Sequence, residues 1–194
     1  NKIWIRVSNK FFVKSIDVEI VSACPKGEIR YTLDGSEPSG SSELYDGEFV
    51  VDGSAVIKAA FFRDGEKLSG DELEVKKLKV TKSKEVAGLN PGLKYRYYEV
   101  EKMWGMPNFA GLDEVKEGTV EKIRLGMQEK INDFGVVFEG YMDISEEGVY
   151  SFELDSDDGS KFFIGGELIS YRYGWPLKQR AGNLYLEKGK YPIK

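Results

Sequence analysis

Val136-Val137-Phe138-Glu139-Gly140-Tyr141-Met142-Asp143-Ile144 is followed by Ser145-Glu146-Glu147-Gly148, then by Val149-Tyr150-Ser151-Phe152-Glu153-Leu154. Asp155-Ser156-Asp157-Asp158-Gly159-Ser160 comes next, and then Lys161-Phe162-Phe163-Ile164. Apolar and polar residues alternate here with a period of two, in strand lengths, between short stretches rich in Gly, Ser and acidic residues. That pattern specifies consecutive antiparallel strands. The adjacent carboxylates Asp157 and Asp158 fall on one of the turns. With no His in the sequence, they are its best chemistry. A pair of carboxylates can ligate a cation or bind sugar hydroxyls. It can equally form a hairpin turn, with Asp bonding its own backbone and Gly159 taking a positive φ.

The same period runs outward from this stretch through nearly the whole chain. Upstream, Ile3 to Val7, Ile16 to Val21, Ile29 to Leu33, Val56 to Phe62 and Leu73 to Val80 alternate or run apolar, punctuated by Gly, Pro, Asp and Ser. About seven short strands at this spacing predict an antiparallel sandwich of immunoglobulin or fibronectin type. Between Thr81 and Gly92 the composition turns polar and small, ending in Gly88-Leu89-Asn90-Pro91-Gly92, which reads as a linker. Beyond it, Leu93 to Val100, Val136 to Ile144, Val149 to Leu154, Lys161 to Ile164, Glu167 to Tyr171 and Asn183 to Leu186 predict a second β-sandwich. The expected organisation is therefore all-β: a first domain over 1–86, a linker over 87–91 and a second domain over 92–194. Glu101 to Gly118 is expected to wrap the second sandwich as a loop. The only helix candidates are Gly111 to Glu117 and Lys122 to Asn132, the latter because Ile123, Met127 and Ile131 recur every fourth residue.

Composition narrows the function classes. Lys and Arg (28) are interspersed with Asp and Glu (33), for a formal charge of -5 and no basic block, so a nucleic-acid groove is not expected. No apolar run approaches the ~18 residues of a membrane span. The sequence begins at Asn1 instead of Met and is read as a piece of a longer protein whose targeting segment lies elsewhere. The single Cys24 excludes an internal disulfide and is expected as a small buried apolar side chain.

Two ordered sets of motifs carry family resemblances. Ile29-Arg30-Tyr31-Thr32-Leu33-Asp34-Gly35-Ser36-Glu37-Pro38, followed by Ser41-Ser42, Leu44-Tyr45 and Val56-Ile57-Lys58-Ala59, resembles the fibronectin-like domain at the C-terminus of chitobiases and β-N-acetylhexosaminidases, over about Asp17 to Ser69. Asp34-Gly35 suits its turn, and Tyr31 and Tyr45 can pack across its sheets. The second set is Gly92-Leu93-Lys94-Tyr95-Arg96-Tyr97-Tyr98-Glu99, Phe138-Glu139-Gly140-Tyr141, Glu147-Gly148-Val149-Tyr150-Ser151-Phe152, Ser156-Asp157-Asp158-Gly159-Ser160-Lys161 and Gly189-Lys190-Tyr191-Pro192-Ile193-Lys194. It resembles the protective-antigen-type (PA-fourteen) domain, a jelly-roll-like β-sandwich of bacterial glycosidases, toxins and fungal adhesins.

The second resemblance implies a site. In adhesin members an Asp pair at the place of Asp157-Asp158 holds a calcium ion that grips sugar hydroxyls, so Asp157 and Asp158 become candidate metal and carbohydrate ligands. The chain departs from the family pattern at Gly165-Gly166, where Asp-Gly is common, and at Ser170 to Pro176, where an Asp-Asn or His-containing loop is common. In that loop, Tyr171, Tyr173 and Trp175 offer flat faces for sugar rings and Arg172 offers hydroxyl contacts. The same aromatics can be core, or can dock on a neighbouring domain. Tyr171 and Tyr173 share a side if the segment is extended.

Together the resemblances imply a non-catalytic accessory region of a secreted, periplasmic or cell-surface β-N-acetylhexosaminidase-like glycoside hydrolase. Its partners would be an N-acetylglucosamine-containing glycan, with calcium as a candidate cofactor, and the catalytic domain of the same parent chain, placed before Asn1. The alternative is a purely structural role, packing on or shaping that catalytic domain. The final strand around Tyr191 to Lys194 is expected to be truncated, leaving an unpaired sheet edge.

Overall fold

The alternation of Ile16-Asp17-Val18-Glu19-Ile20 is realised as a strand burying Ile16, Val18 and Ile20 and exposing the acids between them. This holds in a computed structural model that describes residues 2–24, 26–100, 105–157, 159–173 and 178–194, the side chains of Lys178 and Gln179 excepted. The chain divides into two units, Asn1–Lys79 and Val80–Lys194, and both are built of strands.

The first unit contains β1 (Ile3–Val7), β2 (Phe11–Phe12), β3 (Ile16–Ser22), β4 (Glu28–Thr32), β5 (Glu43–Leu44), β6 (Phe49–Val51), β7 (Ala55–Arg63) and β8 (Glu66–Lys77). A three-stranded sheet of order β1-β3-β6 faces a five-stranded one of order β2-β8-β7-β4-β5. One core joins them, with Ile5, Val18 and Val51 from the first sheet against Tyr31, Ile57, Phe61 and Val75 from the second. Tyr31 stacks on Phe49 at 4.4 Å and meets Tyr45 edge-on at 6.5 Å, while the Ile20 amide donates to Tyr45 Oη at 3.0 Å. Asp34 forms the expected turn: its Oδ1 accepts from the Ser36 amide at 3.0 Å and from Ser36 Oγ at 2.6 Å, with Gly35 at φ 81°. Cys24 is half-buried, packed against this core.

The second unit contains β9 (Val80–Thr81), β10 (Leu93–Glu99), β11 (Lys116–Val120), β12 (Phe134–Ile144), β13 (Gly148–Phe152), β14 (Ser160–Ile164), β15 (Glu167–Tyr173), β16 (Lys178–Arg180), β17 (Gly182–Leu186) and β18 (Gly189–Ile193). Seven strands form one sheet, β11-β10-β12-β18-β14-β15-β16, and three form the other, β13-β17-β9. Ile144, Ile164, Ile169 and Tyr191 of the large sheet bury against Leu186, Leu184, Tyr150 and Phe152 of the small one.

Four expectations change. The chain from Val80, expected with the first domain up to 86, makes its contacts in the second unit. There β9 pairs in parallel with β17, and Lys84 bridges to Lys190. Lys116 to Gly118, read as loop and as far as Glu117 also as helix, fall in β11, which pairs with β10. The helix candidate over 122–132 is a run of bends. Of its three periodic residues only Met127 is buried, whereas Ile123 and Ile131 are exposed, so the spacing serves no common face and nothing selects a helix. Finally, β18 is no edge: it lies between β12 and β14, because Tyr191 is needed in the centre of the core, 1% exposed.

Candidate functional site

The connection from β13 to β14 crosses from the small sheet to the large one, and the packing of Phe152 on Phe162 (ring centroids 5.3 Å) fixes both of its ends. Within it, Ser156 Oγ and Ser160 Oγ are 2.9 Å apart, closing the loop across its neck. The Gly159 amide donates to Asp157 O at 2.9 Å, so the turn tightens at Asp157, whose side chain is exposed. A Cβ on Gly159 would stand 3.1 Å from Tyr173 Cβ and 3.3 Å from both Arg172 O and Met106 Cε. Absence of a side chain thus lets the turn lie directly on the end of β15. Asp158 lies outside the described residues.

Strand alternation divides the aromatic segment between two faces. Lys161 stands opposite Tyr171 and Ser160 opposite Arg172, so Tyr171 and Tyr173 point one way and Arg172 the other. On the first face the two tyrosine rings are 5.4 Å apart and tilted by 48°, and Lys161 Nζ is 5.6 Å from the Tyr173 ring. On the opposite face Arg172 Nη1 pairs with Asp155 Oδ1, fastening the turn's N-terminal arm to β15. Arg172 Nε is buried without a hydrogen-bond partner among the described residues.

The structure thus brings together the Asp157 turn, Tyr171 and Tyr173, and separates Arg172 from the tyrosines. Trp175 lies outside the described residues. Two participants went unread in the sequence. Lys161 could not be read from the two-residue Gly165-Gly166 hairpin alone, because a bulge between Phe162 and Phe163 shifts the register by one and sets Lys161 opposite Tyr171 instead of Ser170. Met106 comes from a distant loop with no local signal.

Chemically, the tyrosine face combines two π surfaces, two phenol hydroxyls and an ammonium group, which suits an apolar sugar face edged by hydroxyls. The carboxylates suit neither hydrolysis nor a complete metal shell. Glycoside hydrolysis needs two carboxyl groups on either side of one bond, ~5 Å or more apart, whereas Asp155 and Asp157 are near neighbours on one loop and Asp155 is engaged by Arg172. Among the described residues no three acidic, Cys or His side chains gather as a metal-ligand set. They do not by themselves supply the six to eight oxygens of calcium.

Comparison with known families finds two consecutive matches. The family model of the chitobiase/beta-hexosaminidase C-terminal domain matches residues 8–71, and that of the PA14 domain matches residues 89–194. Both are accessory, non-catalytic domains. No curated protein matches the chain.

Proposed function

The chain belongs to the PA14 domain family, and from that premise we propose that it is the carbohydrate-binding accessory region of a secreted β-N-acetylhexosaminidase-like glycoside hydrolase. The observation that carries this reading is the Tyr171–Tyr173–Lys161 face beside the Asp157 turn. The rings stack on N-acetylglucosamine units, and Lys161 and the phenols bond their hydroxyls. Asp157 and Asp158 add carboxylate oxygens, through a calcium ion where further oxygens complete its shell. The chitobiase-type first domain supports a hexosaminidase as the parent. Binding a polymeric glycan outside the cell would hold the catalytic domain near its substrate and raise local concentration without new chemistry.

A specific observation favours a second reading, a structural role against the catalytic domain. Ile123, Leu125 and Ile131 of one segment of the second unit are exposed, Ile131 by 92%, as residues of a covered contact would be in the isolated chain. Retention on an insoluble N-acetylglucosamine polymer separates the two. The carbohydrate reading expects retention by the intact chain and its loss in a folded Tyr171→Ala/Tyr173→Ala variant. Equal behaviour of the two proteins would leave the structural role.

A further inference from the structure

Core packing tells the two faces of the large sheet of the second unit apart. Phe162, Ile164, Met142, Tyr191 and Ile193 pack into the core, so by alternation Lys161 and Phe163 of β14, Tyr141 of β12 and Pro192 of β18 point to the opposite, outward face. Tyr171 stands opposite Lys161 and Leu168 opposite Phe163, with the register shift between the two pairs keeping both outward. The tyrosine pair beside the Asp157 turn is thus one end of a row of outward aromatic and apolar side chains. It crosses β15, β14, β18 and β12, which are adjacent in that order.

The far end of this row is a cleft of about 430 Å³ lined by Glu139, Tyr141, Phe163, Gly166, Pro192 and Lys194. Tyr141, 39% exposed, stands opposite Pro192. Glu139 edges the cleft: its Oε2 accepts from Arg96 Nη2 at 2.5 Å and its Oε1 lies 3.2 Å from Lys194 Nζ. A carboxylate offers roughly four lone-pair positions, so this one, already fixed by two cations, still accepts from hydroxyl groups. Tyr171 is level with Lys161, Ile193 with Ile164, and Tyr141 with Pro192. Tyr141 therefore stands three strands across and about four residues along from Tyr171, roughly 20 Å on the diagonal at ordinary strand spacing and rise. Phe109, packed on Tyr98 at 5.2 Å, covers the corner of this face that the diagonal leaves out.

Resting on the glycan reading of the Tyr171–Tyr173 face, we propose that the ligand is an extended oligosaccharide chain laid diagonally across the outward face of the large sheet, from Tyr171 to a second contact zone at Tyr141. In that zone the Tyr141 ring, Phe163 and Pro192 offer flat apolar surface to sugar ring faces, and Glu139 accepts from the hydroxyls at their edges. A monosaccharide or disaccharide is too short to touch both zones and uses one. A longer chain engages both, the second contact forming at the effective concentration set by the first.

The test is calorimetric titration of the disaccharide and the hexasaccharide of N-acetylglucosamine into the intact chain and into Tyr141 variants. The hexasaccharide is expected to bind the intact chain about tenfold or more tighter than the disaccharide. Tyr141→Ala is expected to lose most of that gain while binding the disaccharide within about twofold of the intact chain. Tyr141→Phe, which keeps the ring, should match the intact chain. Tyr141→Leu, which keeps apolar bulk without the flat face, should match Tyr141→Ala and replaces it if the alanine variant does not fold. Equal affinity for the two oligomers, or hexasaccharide binding untouched in a folded Tyr141→Ala or Tyr141→Leu, would overturn the second zone and leave the glycan reading of the tyrosine pair standing. No binding of either oligomer to the intact chain would overturn both.

Discussion

Glu37 is exposed, yet its carboxyl is held down to about 2, by hydrogen bonds from Lys58 and then Lys67 and by the charges of the same two ammonium groups. Both Nζ atoms lie 2.7 Å from its oxygens. Because the folded value lies below the ordinary one, this cluster's contribution to stability is complete above about 4.5 and is lost as pH falls towards about 2. A carboxyl-detected NMR titration should find the Glu37 midpoint near 2 at low ionic strength and rising with salt, since an exposed cluster is screened. Tyr31 behaves oppositely: burial, then the charge of Glu43, pushes its phenol up to about 12. Its contribution is complete below about 10 and is lost as pH rises towards 12, so ultraviolet titration should show one tyrosine ionising late, towards about 12. At the candidate site Arg172→Ala should cost about 1 kcal/mol by chemical denaturation, the scale of a half-exposed ion pair. Arg172→Lys should restore part of that, since an ammonium keeps the charge but not the guanidinium fork.

Close approach governs the elements. A Cβ on Gly182 would stand 2.3 Å from Ile169 Cγ2 and 2.4 Å from Ile169 O, where β17 crosses β15. Gly182→Ala is therefore expected to destabilise the second unit by about 3 kcal/mol, an overpacking cost against unyielding backbone. Thermal unfolding checks it, with the half-buried Gly148→Ala, whose Cβ would meet nothing within 4 Å, as the near-neutral control. Strands with strong alternation were legible: β1, β3, β4 and β7 fall within a residue or so of their expected ranges. The two-residue strands β2, β5 and β9 were not, because two residues carry no period and form only where a partner is already in place. The 122–132 segment shows the converse error. Its fourfold spacing is real, but its order comes from Tyr97 Oη, which accepts from the Glu129 and Lys130 amides at 3.2 and 3.1 Å, a long-range anchor no local pattern displays. The candidate site was legible to the same extent. Asp157 and Gly159 announced a turn, and Tyr171 and Tyr173 shared a face as extended residues must. The ion pair of Arg172 with Asp155 was not legible, since it depends on where the loop returns.

At the scale of the whole molecule, the second unit begins earlier than composition suggests. Thr81 O lies 2.7 Å from Tyr191 Oη, and the Lys84 amide donates to Lys190 O at 2.9 Å. A fragment starting at Val80 is therefore expected to melt several degrees above one starting at Gly88, which loses β9 and leaves the Tyr191 phenol with one acceptor fewer. Identical midpoints would return the boundary to the linker. The two family matches, in tandem, are to non-catalytic accessory domains, and the function proposed above rests on the tyrosine face and its acidic turn. Isothermal titration tests that most directly, with calcium first and then N-acetylglucosamine oligomers with and without calcium, on the intact chain and on Asp157→Ala/Asp158→Ala. The account predicts heat for the oligomers on the intact chain and its loss in the double variant. No heat from any ligand on a folded chain would contradict it.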